Sequence, residues 1–316
     1  MKFTTLVSAV SALVAGTSAL EKGFNYGALN ADGSCGTYWD FHDRFSRSKQ
    51  LWRAPGFNTA RLYTSIQCGS ANAPIEAIKA ALDTKTNLLL GIWASAGQDV
   101  VTNEIIAMKD AAQRWPNQMR TRVKAISVGS EDLYRSSDQG IANNAGVGAT
   151  ADQIVSYIEQ VREALKGTAL EGKPVGHVDT WTAWVLPENG KVIDSVNWLG
   201  HNSFPYFETT KPNSIDLAKA NFESALGQTD AVAKGKPVWV TETGWPWRGP
   251  QSGQAVANIA NAKRYWNEVG CDSLFGKRNV FWYTLYDANQ AQTNMAFSVV
   301  KPVWSQGQRF TLQCPA

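Results

Sequence analysis

Short apolar runs rich in β-branched and aromatic residues recur along the chain, and longer stretches with helical spacing lie between them. Runs of this kind bounded by Gly, Pro or Asn read as strands, whereas apolar positions repeating at three and four residues read as helices. Strands are expected at 23–27, 59–63, 88–93, 123–130, 174–179, 196–202, 238–241 and 280–283. Helices are expected at 38–53, 74–82, 104–115, 151–165, 215–233 and 254–269. Pro74 falls near a first helical turn, where its missing N–H does no harm. Strand and helix alternate without a linker, a low-complexity tract or a GxGxxG turn, which predicts one closed (β/α)8 TIM barrel rather than a doubly wound sheet.

Two of these strands run into a glutamate. Val238-Trp239-Val240-Thr241 leads to Glu242, with Gly244 and Pro246 breaking the backbone beyond, and the run from Val123 leads through Gly129 and Ser130 to Glu131. In a parallel barrel the side chains at the strand C-termini converge on one face. Glu131 after the fourth strand and Glu242 after the seventh would therefore face one mouth from nearly opposite sides. Either acid alone would be an ordinary solvated side chain. As a pair, with Trp239, Trp245 and Trp247 around one of them, they match the chemistry of glycoside hydrolysis. There one carboxyl protonates the leaving oxygen while the other attacks or stabilises the sugar carbon.

Composition narrows the surroundings of that pair. The 316 residues are 44% hydrophobic and 18% charged, ordinary for a globular domain. Net charge is only +3 and no basic run stands out, so neither nucleic acid nor an anionic membrane surface is an expected partner. The 13 Trp are more telling, because several fall in loops after strands, where flat rings can stack on sugars. With 3 His, no HExxH and no phosphate-cradling loop, no metal and no cofactor is expected.

The start of the chain has a basic residue at Lys2, an apolar stretch from Leu6 to Ala15 and small residues up to Ala19. That is the layout of a secretory signal peptide over 1–19, too short to span a bilayer, with the catalytic domain over 20–316. A secreted, extracellular protein without a membrane or lipid anchor is the expectation. No Asn-X-Ser/Thr sequon occurs. Four cysteines in a secreted chain suggest two disulfides. Pairing Cys35 with Cys68 and Cys271 with Cys314 joins neighbours in a closed barrel, and the other connectivities stay open at this level.

Beyond these readings, the chain resembles the glycoside hydrolase family 17 enzymes, specifically fungal cell-wall β-1,3-glucanases and glucanosyltransferases. The likeness runs through Phe24-Asn25-Tyr26-Gly27, Ile126 to Glu131, His177-Val178-Asp179-Thr180-Trp181, Asn202 to Tyr206 and Thr241 to Pro246. It implies a retaining enzyme in which Glu131 is acid/base and Glu242 the nucleophile, acting on β-1,3-glucan, with the cell wall as its setting. Retention requires the two carboxyl groups about 5 to 5.5 Å apart. Many relatives in this barrel superfamily carry Asn just before the acid/base, where its amide binds the sugar 2-hydroxyl. Here the residue is Ser130, which would reach that hydroxyl only through water.

Supporting roles can be assigned by position. Tyr206, after the sixth strand, is expected to hydrogen-bond and orient Glu242. Asn25 and Tyr26 are candidate sugar-hydroxyl ligands. Asp179 is either another such ligand or half of a structural salt bridge, and Arg61 contacts either substrate or a catalytic carboxylate. Trp181, Trp184, Trp245 and Trp247 are candidate stacking platforms, while Trp239 and His177 are expected in the interior. Asp287 and Asn289 are further candidates after the eighth strand. A monomer that hydrolyses or transfers β-1,3-glucan is the leading reading. The rivals are a glucan-binding wall protein without turnover and a barrel glycosidase for another β-glycan.

Overall fold

The computed structural model describes residues 19–288 and 294–315. Eight parallel strands close in sequence order: β1 (Lys22–Tyr26), β2 (Thr59–Leu62), β3 (Asn87–Ile92), β4 (Val123–Ser130), β5 (Val175–Thr180), β6 (Trp198–Asn202), β7 (Val238–Glu242) and β8 (Val280–Trp282). β8 returns to β1 with Phe281 opposite Gly23, so no strand is left with an unpaired edge. The TIM-barrel expectation holds, and each strand lies within about two residues of its predicted bounds.

Two apolar layers account for the strand pattern. Leu88, Leu89 and Leu90 of β3 are all fully buried, because one face of the strand looks into the barrel and the other at the helices. Leu89, Ala125, Val178, Trp198 and Phe281 fill the inside, and Trp239 stacks on Trp198 with ring centroids 4.5 Å apart. The barrel is thus a packed plug. Trp239 belongs to that plug, as its place inside an apolar run implied.

The helices are α1 (Tyr38–Lys49), α2 (Glu76–Asp83), α3 (Gln98–Arg114), α4 (Pro116–Arg122), α5 (Asp132–Ser136), α6 (Asp138–Ala142), α7 (Ala151–Ala164), α8 (Trp181–Trp184), α9 (Gly190–Ser195), α10 (Ile215–Val232) and α11 (Ile259–Tyr265). α7 opens on a capping box in which the Thr150 hydroxyl accepts from Gln153 N and the Gln153 side chain accepts from Thr150 N at 2.8 Å. The short helices α5, α6, α8 and α9 carry too few turns to show a period.

The last helix corrects the predicted 254–269. Asn258 caps α11, its Oδ1 accepting from Asn261 N at 2.8 Å. The residues before it are held as loop, since the Val256 carbonyl accepts from the buried indole of Trp245 at 3.0 Å. Beyond α11 the backbone widens into a π-helix over Trp266–Leu274. The disulfide Cys35–Cys68 joins the loops after β1 and β2, and Cys271–Cys314 ties that π-helix to the end of the chain. The expected leader lies almost wholly outside the described residues.

Candidate active site

β4 ends in a turn built around buried charge. Gly129 (φ +84°) and Glu131 (φ +62°) are both left-handed, on either side of Ser130. That conformation costs an L-residue about 1–2 kcal/mol, and at Glu131 the surrounding contacts sustain it. Asp132 lies beneath the turn, accepting from Ser130 N at 2.7 Å and Ser95 Oγ at 2.6 Å. A Cβ on Gly129 would come 2.2 Å from Asp132 Oδ2 and 3.0 Å from the His177 ring. His177 Nδ1 donates to the Val128 carbonyl at 2.6 Å and Nε2 to Asp179 Oδ2 at 2.9 Å. Both ring nitrogens face acceptors, so the doubly protonated ring satisfies both. Burial opposes that charge, but the hydrogen bond and charge of Asp179, aided by Asp132, outweigh it and raise the His177 pKa.

Asp179 also accepts from the backbone N–H groups of Leu133 (2.9 Å), Tyr134 (3.2 Å) and Thr180 (2.8 Å). Its oxygens are committed, and it is fully buried. Of the two roles open to it, the structural one is observed. It anchors α5, which follows Glu131 directly.

Glu131 and Glu242 line one cleft of about 920 Å³, together with Tyr134, Trp181, Asn202 and Tyr283. Glu131 Oε1 accepts from Asn202 Nδ2 at 3.0 Å, and Arg135 Nη2 lies 3.6 Å from Oε2. Burial, and after it the charge of Glu242, push its pKa to about 7, against the opposing pull of Asn202 and Arg135. Glu242 Oε1 instead accepts from Arg61 Nη1 at 2.6 Å. The same guanidinium donates to Asn25 Oδ1 at 2.7 Å and to Ser130 Oγ at 3.0 Å. Tyr63 lies against the pair, its ring 4.7 Å from the Arg61 guanidinium carbon. Burial, with the charge of Glu242 adding, raises the phenol's pKa well above the ordinary value and keeps it protonated.

These contacts redistribute the expected roles. Of the two partners expected for Arg61, the Glu242 carboxylate is the one it contacts. Asn25 is a buried brace for Arg61 whose amide is spent on the Thr241 and Phe281 carbonyls. Tyr26 is not a sugar ligand: it is buried with its ring edge-on to Phe45 at 4.9 Å, away from the cleft. Tyr206 does not reach Glu242, because its hydroxyl donates to the Pro250 carbonyl and its ring packs edge-on against Trp245. Ser130 Oγ accepts from Arg61.

Among the tryptophans, Trp181 lines the cleft, its indole N–H donating to Glu208 at 3.0 Å. Trp184 is core, stacked edge-on to His177 with its N–H on the Gly200 carbonyl at 2.8 Å. Trp245 is 2% exposed, between Tyr206 and Tyr265. Trp247 is half-buried on a neighbouring cavity. The aromatic wall of the cleft is instead Phe204, Phe297 and Tyr283, with Tyr283 5.1 Å from Phe297 and 5.6 Å from Phe204. Asp287 lines the cleft and accepts from Phe297 N at 2.6 Å, while Asn289 lies outside the described residues.

Asn202, Arg135, Tyr63 and Tyr283 were not singled out from sequence. Asn202, Tyr63 and Tyr283 stand at or just past strand ends, the same signal that marked the two glutamates. Arg135 is four residues beyond Glu131 and becomes its neighbour only because α5 starts there.

A closed (β/α)8 barrel with paired carboxyl groups at the C-terminal ends of β4 and β7 has the layout of a carbohydrate-cleaving enzyme. The chain belongs to the BtgE/BtgC glycoside hydrolase domain family, whose model matches residues 23–304. It is 51% identical over 316 residues to the "Probable glucan endo-1,3-beta-glucosidase eglC" of Aspergillus fumigatus, covering all of this chain and 70% of that protein. It is 27% identical to the "Glucan 1,3-beta-glucosidase" of Saccharomyces cerevisiae, covering 99% of both. Among solved structures, the family 17 β-1,3-glucanosyltransferase of Rhizomucor miehei is similar at a TM-score of 0.73 and 24% identity, covering 93% of this chain and 98% of that one. That likeness is one of fold. The family shown is BtgE/BtgC, and the likeness to family 17 stands as one of structure.

Proposed function

We propose that this glycoside hydrolase cleaves β-1,3-glucan internally with retention of configuration, by family 17-type chemistry. The observation that carries the reading is the contrast between two glutamates in one cleft: Glu131 with its proton held to about pH 7, and Glu242 paired with a buried guanidinium. The names of the curated relatives support the linkage and the endo mode.

In the first step Glu131 donates its proton to the glycosidic oxygen as that bond breaks, and a Glu242 oxygen attacks the anomeric carbon to form a glycosyl ester. Glu131 then takes a proton from the incoming hydroxyl, whose oxygen displaces Glu242 with a second inversion. Asn202 and Arg135 hold Glu131 in place for both proton transfers. Arg61 fixes the attacking carboxylate, with Asn25 and Ser130 fixing Arg61 in turn.

Water as the incoming group gives hydrolysis and a second glucan gives transfer. The leaving sugar departs from the Glu131 side, where Tyr134, Trp181 and Lys211 line the cleft. Trp181 is braced by Glu208, and the Lys211 ammonium lies 5.6 Å from its ring centroid. A ring fixed this way offers an acceptor a preorganised apolar face, which favours transfer as a substantial activity. The enzyme acts outside the cell on wall glucan, on the strength of its leader-like start and two disulfides.

The test is a Glu242→Ala variant supplied with azide and a laminari-oligosaccharide donor. A glycosyl azide of inverted configuration is expected, and one of retained configuration overturns the nucleophile assignment. Products longer than the donor, made by the wild type, establish transfer, and exclusively shorter ones remove it. Release of reducing sugar by the wild type but not by Glu131→Gln separates turnover from mere glucan binding.

A further inference from the structure

Two further cavities adjoin the cleft that holds Glu131 and Glu242, each sharing a lining residue with it. The cleft reaches from the Trp181 side to Tyr283, Asp287 and Ala288. Ala288 also lines a cavity of about 540 Å³ walled by Tyr63 and Trp93, and Asp287 lines a third, of about 670 Å³, between α1 and the loops after β7 and β8. An unbranched chain crossing the site needs two arms, one on each side of the bond to be broken. The third arm is surplus to that need.

The walls of the third cavity identify what it suits. Trp39, on the first turn of α1, is 71% exposed at the rim. Deeper in, Trp247 lines the cavity, covered on one face by the Arg309 guanidinium, 3.6 Å from its ring centroid.

The charges around these rings are largely engaged with the protein. Asp43 pairs with Arg47 at 2.7 Å, and Arg47 also donates to the Tyr286 hydroxyl at 2.9 Å. Asp287 accepts from Phe297 and Ser298 N–H, and Arg309 donates to Ser298 Oγ at 3.0 Å. Aromatic faces among planar polar groups already engaged with the protein suit a hydroxyl-rich ligand better than an apolar chain.

We propose that this third cavity binds a glucosyl branch carried by the glucan chain that occupies the cleft. The assignment rests on the β-glucan reading above and deepens it: the preferred substrate is a branched β-glucan. Asp287 is the wall that this cavity shares with the cleft of Glu131 and Glu242, which is where the branch would leave the main chain.

The test compares kcat/KM on a linear β-1,3-glucan and on a branched one of similar length, for the wild type and Trp39→Ala. The branched-to-linear ratio is expected to fall about tenfold in the variant. Trp247→Ala removes the inner ring. Built in a Glu131→Gln background and followed by calorimetry, it is expected to weaken binding of a branched oligosaccharide about fivefold, and of a linear one less. An unchanged ratio, or an equal fall on both glucans, overturns the branch site and leaves the glucanase reading standing. Failure of the wild type to turn over either glucan overturns both.

Discussion

The Arg61 guanidinium lies 2.6 Å from Glu242 at the mouth of the barrel, and it is 1% exposed. Removing one partner of such a buried pair leaves an uncompensated charge, a loss of about 3–5 kcal/mol. Arg61→Met is therefore expected to lower both kcat, by about 100-fold or more, and the melting temperature. Arg61→Lys should recover part of the stability but little of the rate, because a point charge cannot hold Glu242, Asn25 and Ser130 together. Steady-state kinetics beside calorimetry check this.

Glu131 is the group expected to set the alkaline limb of activity, which should fall through about pH 7. Asn202 and Arg135 pull its pKa down, so Asn202→Ala should move that limb to higher pH while lowering the maximum. Glu242 pushes it up, so in Glu242→Gln the Glu131 carboxyl should titrate lower than in the wild type. Carbon-detected NMR of the labelled carboxyl groups reads both shifts, and the opposite signs would refute the assignment.

Stability has its own pH dependence. Glu104 is fully buried, accepting from Ser65 N at 2.6 Å, Trp93 N at 3.2 Å and the Thr64 hydroxyl, and burial drives its pKa to about 7 despite those bonds. Glu104 and Glu131 thus bind their protons more tightly in the folded than in the unfolded chain. Stability should be greatest below about pH 4.5 for these two groups and decline as pH rises to about 7, by up to about 3 kcal/mol apiece. His177, with a raised pKa, adds loss in the same direction above its unfolded value. Denaturant melts across this range should flatten in Glu104→Gln, although the amide N–H₂ would then face one of the donors that the carboxylate accepts from.

Gly129→Ala would place a methyl group 2.2 Å from Asp132 Oδ2 in a backbone held at φ +84°. The variant should lose more than about 2 kcal/mol, a drop of several degrees in melting temperature, and more activity than stability. The turn it disturbs is the one that aims Glu131.

Trp181 and Trp184 are three residues apart and should separate cleanly. Trp184→Ala empties a core site and should cost about 3–5 kcal/mol. Trp181→Ala should leave the melting temperature nearly unchanged while lowering the yield of transfer products relative to hydrolysis. A melting loss at Trp181 as large as that at Trp184 would place its ring in the core.

The barrel and the pair of glutamates that share its cleft were legible in the sequence because both follow from local rules. A strand buried on both faces must be a continuous apolar run, and a polar residue ending such a run must stand at the barrel mouth. Glu131 and Glu242 were found that way, and Asn202, Tyr63 and Tyr283 obey the same rule. The two disulfide pairs were expected as well, though proximity in three dimensions decided among the connectivities. What each side chain does at its position was decided by the tertiary structure alone. Tyr206 and Trp245 read as site residues, yet they pack against one another because the loop from Pro246 to Ala257 folds over them and supplies their carbonyl acceptors. Asn25 read as a sugar ligand and Asp179 as either a ligand or a structural partner, yet their polar atoms are consumed by Arg61, and by α5 and His177. A pattern of apolar and polar positions records which side of an element is buried. It carries no record of which distant backbone group meets a polar atom, and at this site those meetings separate the residues that face the cleft from those that hold them in place.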